Sequence, residues 1–299
     1  MLMQTQWIFK PLTLALAACM LLITACSKSD TTVPDENNPP PPSTLTEKII
    51  IDTAYGTDAR QKMDIYLPAG RTGDTKVVLL IHGGAWVGGD KSENNGFLAE
   101  LKSKWPEAAF VNINYRLANG TTITYNQMID DIHAAVSFVT GNKNKFQVSD
   151  VLALGGASAG AHLALQYTYT KNSSGHVKCV ADLFGPAIIA DWDWYTKTVP
   201  LNAKDILTKM SGSAWNEELY KKLSPYYTAS ATSKPTIIFH GNLDPLVPVY
   251  QSQWFYGRLK ELGVPVEYYE YTDFHGFTFT ANSTDCVNRT IAFFKKHMK

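Results

Sequence analysis

Five apolar runs in the chain fail to alternate with polar residues: Lys76 to Ile81 (KVVLLI), Ala108 to Asn114, Val151 to Leu154 (VLAL), Val177 to Phe184 and Thr236 to His240 (TIIFH). A strand with one wet face alternates, whereas a run that is apolar at both parities is covered on both faces. Segments of helical spacing separate these runs. Met128 to Val139 is the clearest, with apolar residues at 128, 129, 132, 135, 136 and 139. Phe97 to Trp105, Ala161 to Tyr169, Val249 to Leu262 and Val287 to His297 are the others. Alternation of buried strands with helices predicts an α/β class and a mostly parallel central sheet with helices on both faces. Lys48 to Asp52 and Lys62 to Leu67 add two strands around a turn at Tyr55-Gly56, and Val266 to Tyr271 adds a last one. There is no internal repeat.

Sites in such sheets form beyond the carboxyl ends of the strands, so the residues just past each strand carry the information. KVVLLI leads into His82-Gly83-Gly84-Ala85-Trp86, and VLAL into Gly155-Gly156-Ala157-Ser158-Ala159-Gly160. TIIF leads into His240-Gly241-Asn242-Leu243-Asp244, and the last strand into Asp273-Phe274-His275-Gly276-Phe277. A serine hydroxyl is a weak nucleophile until a base takes its proton and a third group orients the base. Gly-x-Ser-x-Gly between a strand and a helix is the pattern of a tight elbow that exposes such a serine, with amide donors of the helix N-terminus beside it.

These motifs resemble the α/β-hydrolase superfamily, in the branch of esterases with an HGGxW loop and a GxSAGAH elbow. That branch includes polysaccharide-deacylating and feruloyl-type enzymes, and also arylformamidases. The resemblance covers Thr46 to Lys299. It implies Ser158 as nucleophile, His275 as general base and then acid, and Asp244 as the group that orients His275. It implies an oxyanion hole from the backbone N–H groups of Gly83, Gly84 and Ala159, and a reaction that needs no metal or organic cofactor. Asp273 and Asp285 are rival acids; His82, His133, His162, His176 and His240 are rival bases, of which His82 and His240 are expected to brace loops. Ala157 departs from the hormone-sensitive-lipase branch, which carries an acidic residue before the serine. Asp130 and Asp131 are expected on a solvated helix face or as a brace for it.

Ala187 to Lys234 is too long for a simple connection, and the resemblance implies a small cap insertion over the site. Its Trp192, Trp194, Tyr195 and Trp215 either pack the cap or, with Trp86, wall the substrate pocket. The expected activity is hydrolysis of carboxylic esters with short-chain or aromatic acyl groups, acylated polysaccharide among the candidate substrates. Amide hydrolysis by the same triad and a non-catalytic binding module are the alternatives.

Residues 1–25 are a different kind of sequence. Lys10 precedes a nearly unbroken apolar run from Leu12 to Ala25, too short to span a bilayer and suited to a signal-peptide core. Leu22-Ile23-Thr24-Ala25-Cys26 resembles a bacterial lipobox, which implies lipidation of Cys26, membrane anchoring and a place in the cell envelope. Residues 26–45 are polar and proline-rich and read as a tether. Lys plus Arg and Asp plus Glu both number 27, so no basic field argues for nucleic acid. Cys179 and Cys286 are expected as buried thiols, although an exported protein permits a disulfide between them. No Cys-x-x-Cys, His-Glu-x-x-His or EF-hand pattern points to a metal.

Overall fold

The structure is a computed structural model that describes residues 45–199, 202–278 and 280–299. The expected signal peptide, Cys26 and the tether up to residue 44 lie outside the described residues. Eight strands form one sheet: β1 (Lys48–Ala54), β2 (Lys62–Leu67), β3 (Val77–Ile81), β4 (Ala109–Ile113), β5 (Leu152–Ala157), β6 (Val177–Leu183), β7 (Thr236–Gly241) and β8 (Val266–Tyr271). Their order is β1-β2-β4-β3-β5-β6-β7-β8. The two pairings of β2, with β1 and with β4, are antiparallel. From β4 to β8 every pairing is parallel.

The apolar runs are explained by the layers. In β3, Val77, Leu79 and Ile81 enter one core while Val78 and Leu80 enter the other. All five are at most 2% exposed, and a fully buried aliphatic side chain contributes roughly 1.5–3 kcal/mol. One face is covered by α1 (Asn95–Lys104) and α10 (Thr280–His297), through Leu98, Leu101, Val287, Ile291 and Phe294. The other is covered by α2 (Tyr125–Gly141), α4 (Ala159–Thr170) and α9 (Val249–Glu261), with the short α3 (Lys143–Phe146) trailing α2. This is the α/β-hydrolase arrangement of a mostly parallel sheet with helices on both faces.

Among the described residues, the stretch between β6 and β7 forms four short helices: α5 (Trp192–Lys197), α6 (Ala203–Ser211), α7 (Glu217–Lys222) and α8 (Pro225–Thr228). Asn202 caps α6 through the Asp205 N–H, and Asn216 caps α7 through the Leu219 N–H, which satisfies donors that helix starts leave open. Of the two roles expected for Asp131, the structure shows the brace. The residue is fully buried on α2, where Arg116 forms a fork with both its oxygens at 2.6–3.0 Å and Gln61 donates at 2.8 Å. Asp130, its neighbour, is exposed.

Candidate active site

The chain turns from β5 into α4 at Ser158, which sits at φ 53° and ψ −121°. Positive φ in a residue with a Cβ is strained and persists only where the surroundings hold it. Here the Ser158 N–H donates to Leu183 O at 2.9 Å, and Ser158 O accepts from the His162 N–H at 3.1 Å. The flanking glycines are required by close approach. A Cβ on Gly156 would lie 2.4 Å from the backbone of Gly160, and a Cβ on Gly160 would lie 2.3 Å from Ile81 O and 2.4 Å from His82 O. Backbone is therefore packed on backbone, and the elbow fixes the loop after β3 directly beside Ser158.

That loop is braced from behind. His82 is fully buried, stacks on Tyr115 at 4.4 Å and meets Gly83 O through Nδ1 at 2.7 Å. Burial pushes its imidazole down to about 4, so it is neutral, and Nε2 is left to face the Arg60 guanidinium at 3.4 Å. Arg60 also donates to Gly89 O and Tyr115 O at 2.8 and 3.0 Å. Among the described residues, the N–H groups of Gly83, Gly84 and Ala159 donate to no protein acceptor. Those of Gly83 and Gly84 belong to the wall of the cleft that holds Ser158; that of Ala159 opens α4, where the first turn has no intrahelical acceptor.

His275 lies just past β8, and its Nδ1 is 2.6 Å from Asp244 Oδ2. The Asp244 carboxylate is saturated. Oδ1 accepts the N–H groups of Leu246 and Val247 at 2.8 and 2.9 Å, and Oδ2 also faces His240 Nε2 at 3.2 Å. Burial alone would raise this carboxyl, but the hydrogen bonds from His240 and His275 outweigh it and hold it well below the usual range. It is ionised at any working pH, and as an acceptor-only group it fixes the proton of His275 on Nδ1 and leaves Nε2 free to accept. Phe184 sets its ring against His275 at 4.8 Å. Ser158, His275, Gly83 and Gly84 line one cleft of about 420 Å³. Among the described residues no hydrogen bond joins Ser158 Oγ to His275; such contacts are often long in substrate-free sites.

The rival residues are placed elsewhere. Asp273 is buried and holds the turn after β8 through the Phe274 N–H, Thr278 and Asn282. Asp285 accepts from Tyr271 and Arg289. His240 is buried between Ser252 Oγ and Val247 O. His162 is fully buried, accepts the Trp86 indole N–H at 3.1 Å and contacts Leu223 O at 2.6 Å; burial lowers it to about 4. His133 contacts Tyr167, and His176 contacts Asp150 O. Cys179 and Cys286 are both buried and free, and burial raises each thiol. No metal-ligating cluster occurs among the described residues.

A second, narrower cavity of about 70 Å³ meets that cleft at Ala85, Ser158 and Leu246 and is lined otherwise by Trp86, Pro186, Val247 and cap residues, without His275. Trp86 and Tyr195 line it. Trp192 and Trp194 do not: Trp192 stacks on Trp215 at 4.9 Å and meets the edge of Tyr220, while Trp194 packs edge-on to Tyr250 at 6.0 Å. Trp192 packs within the cap and Trp194 packs the cap against α9; neither walls the cavity.

Arg60, Phe184 and the sharing of Asp244 by His240 have no counterpart in the sequence reading. Each depends on contacts between distant segments that carry no local pattern. The histidine that precedes the Gly-Asn-Leu-Asp loop is the one usable signal.

The BD-FAE family model matches residues 63–259. An isoprenylcysteine α-carbonyl methylesterase of Arabidopsis thaliana is 28% identical over 231 residues, 71% of this chain and 53% of its own. The chain thus spans about half the length of that curated relative. A bifunctional GH43-CE protein of Bacteroides eggerthii superposes with a TM-score of 0.71 at 25% identity, over 83% of this chain and 38% of its own. A truncated carbohydrate esterase from gut microbiota gives 0.70 at 20% identity, over 85% of this chain and 99% of its own.

Proposed function

The chain belongs to the BD-FAE family, and from that premise and the geometry of the cleft we propose that it hydrolyses carboxylic esters through a covalent acyl-enzyme on Ser158. The observation that carries the reading is the Asp244–His275 pair, joined at 2.6 Å, on the same cleft as a serine held at a strained elbow.

His275 Nε2 takes the Ser158 proton as Oγ attacks the ester carbonyl carbon. The carbonyl π bond opens and its oxygen becomes an oxyanion. The amides of Gly83, Gly84 and Ala159 are the donors aimed at that charge, and one such donor is typically worth about 3–4 kcal/mol of barrier. As the intermediate collapses, the bond to the leaving oxygen breaks and the His275 imidazolium gives that oxygen its proton. Water then attacks the acyl carbon as His275 takes its proton, and when the bond from that carbon to Ser158 Oγ breaks the imidazolium returns the proton to Oγ and the acid leaves. Asp244 stabilises the imidazolium in both halves while its hydrogen bonds to Leu246 and Val247 keep it in place.

Small esters or acylated sugars are the substrates in this reading, with acetyl or feruloyl esters of plant polysaccharide as the finer proposal. Its support is the esterase character of the relatives and the open cleft. A panel of p-nitrophenyl esters, formamides and peptides, run beside Ser158→Ala, tests it. Serine-dependent turnover of esters supports the reading, and turnover of amides alone replaces it with amide hydrolysis. We further propose that lipidation at Cys26 anchors the protein in a bacterial envelope. Cys26→Ser should move it from the membrane to the soluble fraction, and unchanged membrane retention would overturn the anchor.

A further inference from the structure

We infer that the two cavities that meet at Ser158 divide the substrate, with the alcohol part in the one that holds His275 and a short, unsubstituted alkyl acyl chain in the narrow one under the cap. This division rests on the esterase reading above and narrows its acyl group.

Proton transfer sets the two sides. The same imidazole that takes the serine proton must hand it to the leaving oxygen, so the leaving alcohol lies on the histidine side of the carbonyl. His275 and Gly276 line the wide cleft of about 420 Å³, together with the polar Glu93 and Asn94. The narrow cavity contains Ser158 but not His275. The acyl substituent, which points away from the leaving group, is left with the narrow one.

The size of that cavity limits the acyl group. It holds about 70 Å³, under half of the roughly 150 Å³ that accommodates a single benzene ring. A methyl to propyl group fits such a space, and a phenylpropenoyl group does not. The chemistry of the wall agrees. Val199, Ala203, Ile206, Leu207 and Leu246 are hydrocarbon. Its two side-chain N–H and O–H donors besides Ser158 are committed elsewhere: the Trp86 indole N–H donates to His162 at 3.1 Å, and the Tyr195 hydroxyl donates to Gln251 at 3.3 Å. By contrast the wide cleft has the room and the polar rim that a sugar needs. The enzyme so described removes acetyl to butyryl groups from bulky alcohols and discriminates against feruloyl.

The test holds the leaving group constant and varies the acyl chain. The full-length protein is assayed with p-nitrophenyl acetate, butyrate and octanoate and with 4-nitrophenyl ferulate, and kcat/KM is compared. Acetate or butyrate should lead, with octanoate and ferulate lower by about 100-fold or more, since each misfitting group costs tens to hundreds in such pockets. Ferulate or octanoate within about tenfold of acetate would overturn the assignment while leaving the esterase reading intact. Absence of Ser158-dependent turnover on every ester would remove both. The half-buried Ile206 on α6 gives an independent handle. In Ile206→Ala, with folding checked by thermal melting, the octanoate-to-acetate ratio of kcat/KM should rise about tenfold. An unchanged ratio in a folded variant would place the acyl chain outside this cavity.

Discussion

Asp182 stands at the carboxyl end of β6 with no exposure at all. Oδ1 accepts the Gly185 N–H at 2.8 Å, and Oδ2 has no partner among the described residues. Burial pushes this carboxyl from 3.8 up to about 7, against smaller opposing effects of the Gly185 N–H and of His240. Between pH 3.8 and about 7 the folded state holds a proton that the unfolded state has released, so stability falls as pH rises through that window. Held across roughly three pH units at about 1.4 kcal/mol each, the proton is worth about 4 kcal/mol at most. Asp182→Asn keeps an acceptor for Gly185 and places a neutral N–H where the acid carries its O–H. Reversible urea denaturation at intervals from about pH 4 to pH 8.5, covering that window, should show the two proteins close at the acid end. The variant should then gain on the wild type through pH 7, by up to a few kcal/mol, and the gap should stay flat above. A gap that does not change with pH, or one that favours the wild type at high pH, would mean that Asp182 is ionised throughout and that its burial has been misread. The turn it fixes carries Phe184 against His275, so the same titration should be visible in the melting of the active enzyme.

Asp244→Asn should lower kcat by about 10³–10⁴-fold with the fold retained, because an amide cannot hold the His275 proton on Nδ1 or stabilise its cation; steady-state kinetics on p-nitrophenyl acetate measures this. Gly160→Ala should destabilise by about 1–3 kcal/mol and reduce kcat, since its Cβ would sit 2.3 Å from Ile81 O; denaturant midpoints and turnover together check it. Arg116→Ala should cost about 2–3 kcal/mol in urea denaturation, because the fully buried Asp131 loses its counter-ion and keeps only the neutral donors of Gln61 and the residue-116 backbone N–H.

The buried strands and the elbow are legible in the sequence because their physics is local. A run apolar at both parities needs two covered faces, and Gly-x-Ser-x-Gly needs backbone contact that no side chain permits. Where the local rule competes with tertiary structure, the sequence misleads. β5 continues through Gly155 and Gly156 to Ala157, although glycine disfavours strands, because the parallel pairing with β3 and β6 continues there. Helix α10 starts at Thr280 rather than Val287. Its first turns, TANSTD, are polar and show no apolar spacing, and only from Cys286 does it bury a face. The sequence leaves both a solvated face and a brace open for Asp131, because its partner, Arg116, lies fifteen positions away in a loop. Trp192 and Trp194 are pocket candidates by composition alone, and aromatic composition does not distinguish a cap's own core from a surface it offers to a ligand.

A covalent acyl-enzyme on Ser158 is the centre of this mechanism. Full-length protein mixed with p-nitrophenyl acetate and quenched in acid within the first turnover, then digested and analysed by mass spectrometry, addresses it directly. The expected result is an acetyl group on the peptide that carries Ser158, absent in Ser158→Ala, with steady turnover in that variant lower by at least about 10³-fold. Turnover that persists in Ser158→Ala, or an acyl group found on another residue, would contradict it.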